Sequence, residues 1–341
     1  MYENFYGFTE PPFELTANPK YLYLSATQCE ALSILQYGLF SSKAVTLLIG
    51  EAGTGKTTLI HAALASDLCR KVRCVYLNNP TLRPDDFIRM LALKFDLGPE
   101  VGESKALLLQ RLEALLLERR EAGQTTALVV DEAQSLSHEM LEEIRFLANI
   151  ETPSSKLLPV VLAGQPELAD RLEQPNLRQL KQRVALRAVL RPFELEQTAA
   201  YIASRVVTAG GVPGRIFSIE AVTLIHEFSG GIPRTISVIC DNVLVSGMAL
   251  GRHSIERATV LEVCCDLHLT RQPATVSAAA PAVAADCVPF SGPSAVAAKA
   301  AVAAEPVGGE APRQPADSFR PDRLSARVVA ATRRIGRTIT Y

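Results

Sequence analysis

The stretch Gly50-Glu51-Ala52-Gly53-Thr54-Gly55-Lys56-Thr57 decides the fold, because it fits the phosphate-loop pattern GxxxxGK[ST] and sits where that pattern has meaning. An apolar run over 44–49 precedes it and a helical pattern over 58–68 follows. Strand, glycine-rich turn and helix in that order let successive backbone N–H groups turn inward around a phosphate, while the helix N-terminus adds its partial positive charge. The side chains then divide the remaining work. Lys56 reaches the β and γ phosphates, and the Thr57 hydroxyl ligates Mg²⁺. Gly50, Glu51, Ala52, Gly53, Thr54, Gly55, Lys56, Thr57 and Thr58 are therefore the expected nucleotide cradle. The dinucleotide pattern GxGxxG is absent, so the loop predicts ATP with Mg²⁺.

Working outward, apolar runs recur at 44–49, 73–77, 126–130, 157–163 and 184–190, with helical patterns between them. Such alternation specifies an α/β fold, a five-stranded parallel sheet with helices on both faces. Leu108, Leu112, Leu115 and Leu116 make the apolar stripe of one long helix that is expected to cover a sheet face. The third run ends Ala127-Leu128-Val129-Val130-Asp131-Glu132-Ala133-Gln134, a Walker B pattern that delivers two carboxylates to the C-terminal edge of the sheet. Asp131 is expected to hold the Mg²⁺ shell and Glu132 to polarise the water aligned with the γ-phosphate. A strand intervening between the two motifs points to the additional-strand branch of P-loop proteins, in which a glutamate activates water.

After the fourth run, Gln165 follows Ala163-Gly164. It is either a sensor beside the γ-phosphate or a cap on the helix that begins near Pro166. Arg178, Lys181 and Arg183 lie between that helix and the last strand, where a charge could project toward a neighbouring subunit's ATP. Arg183, beside the strand, is the better finger; solvated helix charges are the alternative for this group. Gly230-Gly231-Ile232-Pro233-Arg234 opens the longest helix of the second half. An arginine at the positive end of a helix is unfavourable by about 0.3–1 kcal/mol when exposed, which points to an anion nearby. That anion is either the γ-phosphate, making Arg234 a second sensor, or a neighbouring acid. His61, His138, His226, His253 and His268 show no metal-ligand spacing, so no metal besides Mg²⁺ is expected.

Composition sets the outer bounds. The 341 residues are 48% hydrophobic, enough for two folded domains. A net charge of −1 provides no global field for nucleic acid or anionic membrane, so such contacts would need a local patch. Seven cysteines, with Cys264 and Cys265 adjacent, form neither CxxC pairs nor an even disulfide set, which fits a reducing cytoplasm. The opening MYENFYGF is not a signal peptide, and no run of about 18 apolar residues provides a membrane span.

Beyond Pro192 the strand signal ends, and helices are expected at 194–208, 219–228, 234–250 and 254–268. The expected organisation is a lead-in at 1–40, the P-loop α/β domain at 41–192, an all-helical lid at 193–270, a disordered alanine- and proline-rich linker at 271–316, and a basic tail at 317–341. In the tail Leu324, Val328, Ala331 and Ile335 fall on one helical stripe among arginines, which would suit an acidic partner or a peripheral contact with the inner membrane; a solvated, disordered tail is the alternative.

With these motifs placed, residues 1–269 resemble the AAA+ ATPases of the ExeA/GspA secretion-ATPase family, including its short exosortase- and exopolysaccharide-associated members. The likeness rests on Tyr2-Glu3-Asn4-Phe5-Tyr6-Gly7-Phe8, Pro12-Phe13, Tyr21-Leu22-Tyr23-Leu24-Ser25, the phosphate loop, Val130-Asp131-Glu132-Ala133-Gln134, Ala163-Gly164-Gln165-Pro166-Glu167-Leu168, Gln182-Arg183 and Gly230 to Arg234. The resemblance implies a cytoplasmic, oligomeric ATP hydrolase that serves envelope secretion or exopolysaccharide export. It also implies that the lead-in packs near adenine, that Arg183 is a finger, and that Arg234 is a second sensor. Thr27-Gln28-Cys29 departs from a histidine common at that point of the family. The transmembrane helix and peptidoglycan-binding module of longer members have no counterpart in these residues, so a substrate is expected to be engaged through partner proteins. A DNA-associated transposition-helper ATPase shares the core motifs, but its basic patches are not evident. A nucleotide-gated scaffold with little hydrolysis is the third reading, and the intact Glu132 weighs against it.

Overall fold

The structure, a computed structural model, describes residues 1–16, 18–78, 83–153 and 155–271. The expected linker beyond Arg271 and the basic tail lie outside the described residues. The strands are β1 (Val45–Gly50), β2 (Val72–Leu77), β3 (Thr125–Val130), the two-residue pair β4 (Glu151–Thr152) and β5 (Ser155–Lys156), β6 (Val160–Gly164) and β7 (Val184–Leu190). Five of them form one sheet in the order β2-β3-β6-β1-β7, every pair parallel, and β4 and β5 make a separate antiparallel ribbon. The order places β6 between the strand feeding the phosphate loop and the strand ending in the two acids. Both motifs therefore open into the crevice outside the carboxyl ends of the strands, where open α/β sheets bind ligands.

The central strands show why the apolar runs were continuous. Val45, Leu47, Ile49, Leu128, Val130, Val160 and Leu162 enter one hydrophobic cluster, while Leu48, Ala127, Val129, Val161 and Ala163 enter another on the opposite face. Successive residues of a strand point to opposite faces, so a strand covered on both must be apolar throughout. The helices in chain order are α1 (Tyr2–Tyr6), α2 (Ala26–Phe40), α3 (Lys56–Leu64), α4 (Pro84–Lys94), α5 (Lys105–Glu121), α6 (His138–Leu147), α7 (Pro166–Leu172), α8 (Arg178–Lys181), α9 (Leu195–Thr208), α10 (Pro213–Ile216), α11 (Ile219–Ser229), α12 (Pro233–Ala249) and α13 (Arg257–Asp266). Helices α4 to α8 cover the first face, with Leu108, Leu112 and Leu116 of α5 fully buried, and α2 and α3 cover the second.

Three boundaries differ from the sequence pattern by three or four residues, each for a local reason. Helix α3 stops at Leu64 because Ser66 turns back, its hydroxyl and N–H both donating to the Ala63 carbonyl. Strand β6 starts at Val160, since Pro159 has no N–H to give the ladder. Helix α13 begins at Arg257 because Ile255 is already paired, its N–H donating to the Ile216 carbonyl at 2.6 Å in a bridge with Phe217.

Helices α9 to α13 surround a third core, and the lead-in belongs to it. Tyr2, Phe8 and Phe13 are buried among Tyr201, Val206, Ile239, Val243 and Ile255. The Tyr2 hydroxyl donates to Asp241 Oδ1 at 2.6 Å, and the Arg205 guanidinium donates to the Pro12 carbonyl at 2.7 Å. The chain thus starts in the lid, crosses to the sheet through α2 with Ser25 as its N-cap, and returns to the lid after β7.

Candidate nucleotide site

Strand β1 is buried along its whole length and ends at Gly50, where the loop begins. Gly55 caps α3 with φ 96, a value natural to glycine, and the helix starts at Lys56. The Lys56 ammonium lies back across the loop, donating to the carbonyls of Gly50 at 2.8 Å and Glu51 at 3.1 Å, with 5% of the residue exposed. Burial lowers the affinity of this lysine for its proton, and the charges of Glu132, Asp131, Glu51 and Glu167 oppose that shift. A cation held inside the loop and ringed by carboxylates is placed to be drawn onto a polyphosphate.

The two expected metal ligands meet directly. The Thr57 hydroxyl, at the start of α3, donates to Asp131 Oδ2 at 2.6 Å across 74 residues of sequence. Asp131 is buried at the end of β3, and its other oxygen accepts the Glu132 N–H at 2.9 Å. A hydroxyl and a carboxylate are hard oxygen donors suited to Mg²⁺, whose octahedral shell at about 2.0–2.1 Å sets adjacent ligands close together. Among the described residues no cluster of three or more His, Cys, Asp or Glu could enclose a metal. Two oxygen ligands from the protein suit an ion that completes its shell with phosphate and water oxygens.

Tyr76 carries no motif that the sequence reading could have caught. Its hydroxyl, near the end of β2, donates to Asp131 Oδ2 at 2.7 Å, and its ring stacks on His61 of α3 with centroids 5.3 Å apart. Burial and the hydrogen bond to Asp131 push the phenol well above its ordinary pKa, so it stays a donor. No spacing connects Tyr76 to Asp131; the β2–β3 pairing does.

Glu132 adopts a left-handed backbone with φ 54, and its carbonyl accepts from the Ser135 N–H and hydroxyl. Its Oε2 accepts from Gln134 Nε2 at 2.6 Å. Gln165 occupies the N-cap of α7 without a side-chain cap bond, and its backbone N–H donates to Gln134 Oε1 at 3.1 Å. The capping alternative for the Gln165 side chain is thus not what the structure shows. Arg234 comes to the loop through its backbone, its N–H donating to the Gly53 carbonyl at 3.2 Å. The Arg234 side chain is exposed and forms no ion pair among the described residues. Hydrogen bonds thus link Thr57 to Asp131, Asp131 to Glu132 and Glu132 through Gln134 to the Gln165 N–H, while Lys56 and the Arg234 N–H both bond the phosphate loop. Arg178 and Arg183 are both exposed, with Arg183 close enough to Glu151 to help hold that carboxyl below its usual range after Lys156.

The chain is similar to known proteins in sequence and in fold. The AAA domain family model matches residues 39–172, from the end of α2 through α7. General secretion pathway protein A of Aeromonas hydrophila is 42% identical over 255 residues, which is 75% of this chain and 46% of that protein. This chain is an AAA+ P-loop protein of the general secretion pathway protein A family. It spans about half the length of that curated relative. The fold of this AAA+ protein is also that of the Aeropyrum pernix ORC2 protein, solved as ADPNP-ADP complexes, at TM-score 0.57 and 17% identity over 78% of this chain and 73% of that one. Cdc6p from Pyrobaculum aerophilum gives TM-score 0.59 at 19% identity over 75% and 70% of the two chains.

Proposed function

We propose that the chain binds Mg-ATP in the crevice between the phosphate loop, Asp131 and the start of α12, hydrolyses it to ADP and phosphate, and uses that cycle to drive or gate assembly of an envelope secretion or exopolysaccharide export system. The observation that carries the reading is the 2.6 Å bond between Thr57 and Asp131, which joins the two Walker motifs at one point while Lys56 is buried beside it. In the reaction Lys56 and the loop N–H groups hold the β and γ phosphates. Glu132 accepts a proton as water attacks the γ-phosphorus, and the bond to the ADP oxygen breaks in line. Mg²⁺, when bound to Thr57 and Asp131, neutralises charge on the phosphate oxygens. Hydrolysis can alter the lid because Arg234 donates to the loop at Gly53 and α12 runs from there into the lid core.

The same proposal takes the chain as a homo-oligomer in which exposed Arg183 serves a neighbouring subunit's ATP. It places the protein in the cytoplasm, with the basic tail as a peripheral membrane contact and envelope proteins as partners. Among the described residues no helix is long and apolar enough to cross a membrane, and the name of the Aeromonas relative links that protein to secretion. Two substitutions separate binding from chemistry. Lys56→Ala should abolish ATP binding, whereas Glu132→Gln should bind ATP and hydrolyse it about 10²–10⁴-fold more slowly. Wild-type turnover by Glu132→Gln would sink the catalytic assignment, and a wild-type protein that binds ATP without turnover would be a nucleotide-gated scaffold.

A further inference from the structure

Gln134 is more than the residue that follows the Walker acids. Its Nε2 donates to Glu132 Oε2 at 2.6 Å, its Oε1 accepts the Gln165 N–H at 3.1 Å, and its carbonyl accepts from the Arg171 guanidinium at 2.7 Å. The direction of the amide follows from its partners. A backbone N–H can only donate, so the amide oxygen must face Gln165, and the NH₂ must then face Glu132, whose carboxylate can only accept. Close approach is built in as well: a Cβ at Gly164 would lie 2.9 Å from Gln134 Oε1 and 2.7 Å from Leu168 Cδ2. Glycine at the end of β6 is what lets the amide reach the turn.

We infer that Gln134 is a positioning residue that anchors one oxygen of Glu132 so that the other faces the attacking water, and that it ties this carboxylate to the β6–α7 turn carrying Gln165. A carboxylate offers about four acceptor sites. One bond to Oε2 therefore leaves Oε1 free to take a proton. An active-site base works best when a third group fixes its orientation. Here the backbone of Glu132 is held left-handed by Ser135, and Gln134 removes the remaining side-chain freedom. Because the same amide is bonded to the Gln165 N–H, a shift of that turn moves the base. The inference rests on the ATPase reading above.

The experiment is a double-mutant cycle on the full chain, read by single-turnover ATP hydrolysis, ATP affinity and thermal melting. Gln134→Leu keeps the volume and removes both polar ends. It should slow hydrolysis about tenfold or more, a fraction of what a positioned base contributes, with ATP affinity and melting temperature unchanged. In a Glu132→Gln background the same substitution should change little, because the group it acts through is gone. Should Gln134→Leu fail to fold, Gln134→Asn, one methylene too short to span both partners, is expected to show a smaller loss in the same pattern. Wild-type or faster turnover by Gln134→Leu overturns the inference while leaving the ATPase reading intact. An equal loss in both backgrounds overturns it too, since that marks a structural role. Full turnover by Glu132→Gln alone overturns both readings, and that outcome is distinct from the first two.

Discussion

Gly231→Ala tests how the lid is joined to the sheet. Gly231 has φ +74, and a Cβ there would fall 2.0 Å from the Phe193 carbonyl oxygen, 2.9 Å from its nitrogen and 3.0 Å from its carbonyl carbon. These are main-chain atoms, so no rotamer change relieves the overlap. Ordinary carbon–oxygen contacts lie at about 3.3 Å or more, so the two segments must part by about 1 Å. Parting them breaks the bond from the Phe193 N–H to the Gly231 carbonyl, now 2.8 Å, and disturbs the packing of Phe193 with Tyr23 and Tyr201. The left-handed conformation alone disfavours alanine by about 1–2 kcal/mol. A lost hydrogen bond adds about 0.5–1.5 kcal/mol, and overpacking about 1–3 kcal/mol. Alanine also restricts the unfolded chain, which returns about 0.4–1 kcal/mol. The expected net loss is about 2–6 kcal/mol, a large share of the roughly 5–15 kcal/mol typical of a whole domain. Urea denaturation followed by far-ultraviolet circular dichroism measures it, with Gly214→Ala as the control. Gly214 lies in α10 with nothing within 4 Å of a built Cβ, so alanine there should be neutral or slightly stabilising. A loss below about 1 kcal/mol for Gly231→Ala, at unchanged denaturant slope, would refute the view that main-chain contact fixes this junction.

Two further outcomes follow from exposure and charge. If exposed Arg183 acts across a subunit boundary, mixing Arg183→Ala with Glu132→Gln subunits should restore part of the ATPase rate, and no recovery at any ratio with the oligomer intact would count against the finger. Burial pushes the Cys74 thiol up to about 12 and, with the neighbouring Cys265, the Cys264 thiol up to about 11. Burial penalises the charged form, so at pH 8 the thiolate fraction at Cys264 is about one in a thousand. Iodoacetamide at that pH, mapped by peptide mass, should therefore label exposed Cys265 well before either. Equal labelling of Cys264 and Cys265 in the folded protein would contradict the assigned burial.

Several features of this protein were legible because their causes are local. A phosphate loop is a run of eight residues whose glycines and lysine act through their own backbone and the next helix, so Gly50 to Thr57 could be read without knowing the sheet. The central strands were legible because covering both faces demands unbroken apolar runs, and α5 because its leucines repeat at the helical period. Strand order, by contrast, is set by which faces pack, and it alone puts β6 between β1 and β3 and brings Gln165 toward Glu132. Tyr76 meeting Asp131, and the Gln134 bridge to the Gln165 N–H, join residues 55 and 31 positions apart, with no periodicity to announce them. The lead-in shows the same limit at domain scale. Its aromatic residues read as apolar, but only the fold shows that Tyr2 bonds Asp241, 239 residues away, because a buried polar group takes whichever partner the packing offers. Local hydrogen bonding and periodicity thus settled which segments are strand, loop or helix, while the choice of neighbours across the sheet and between sheet and lid depended on burial, which is a property of the whole chain.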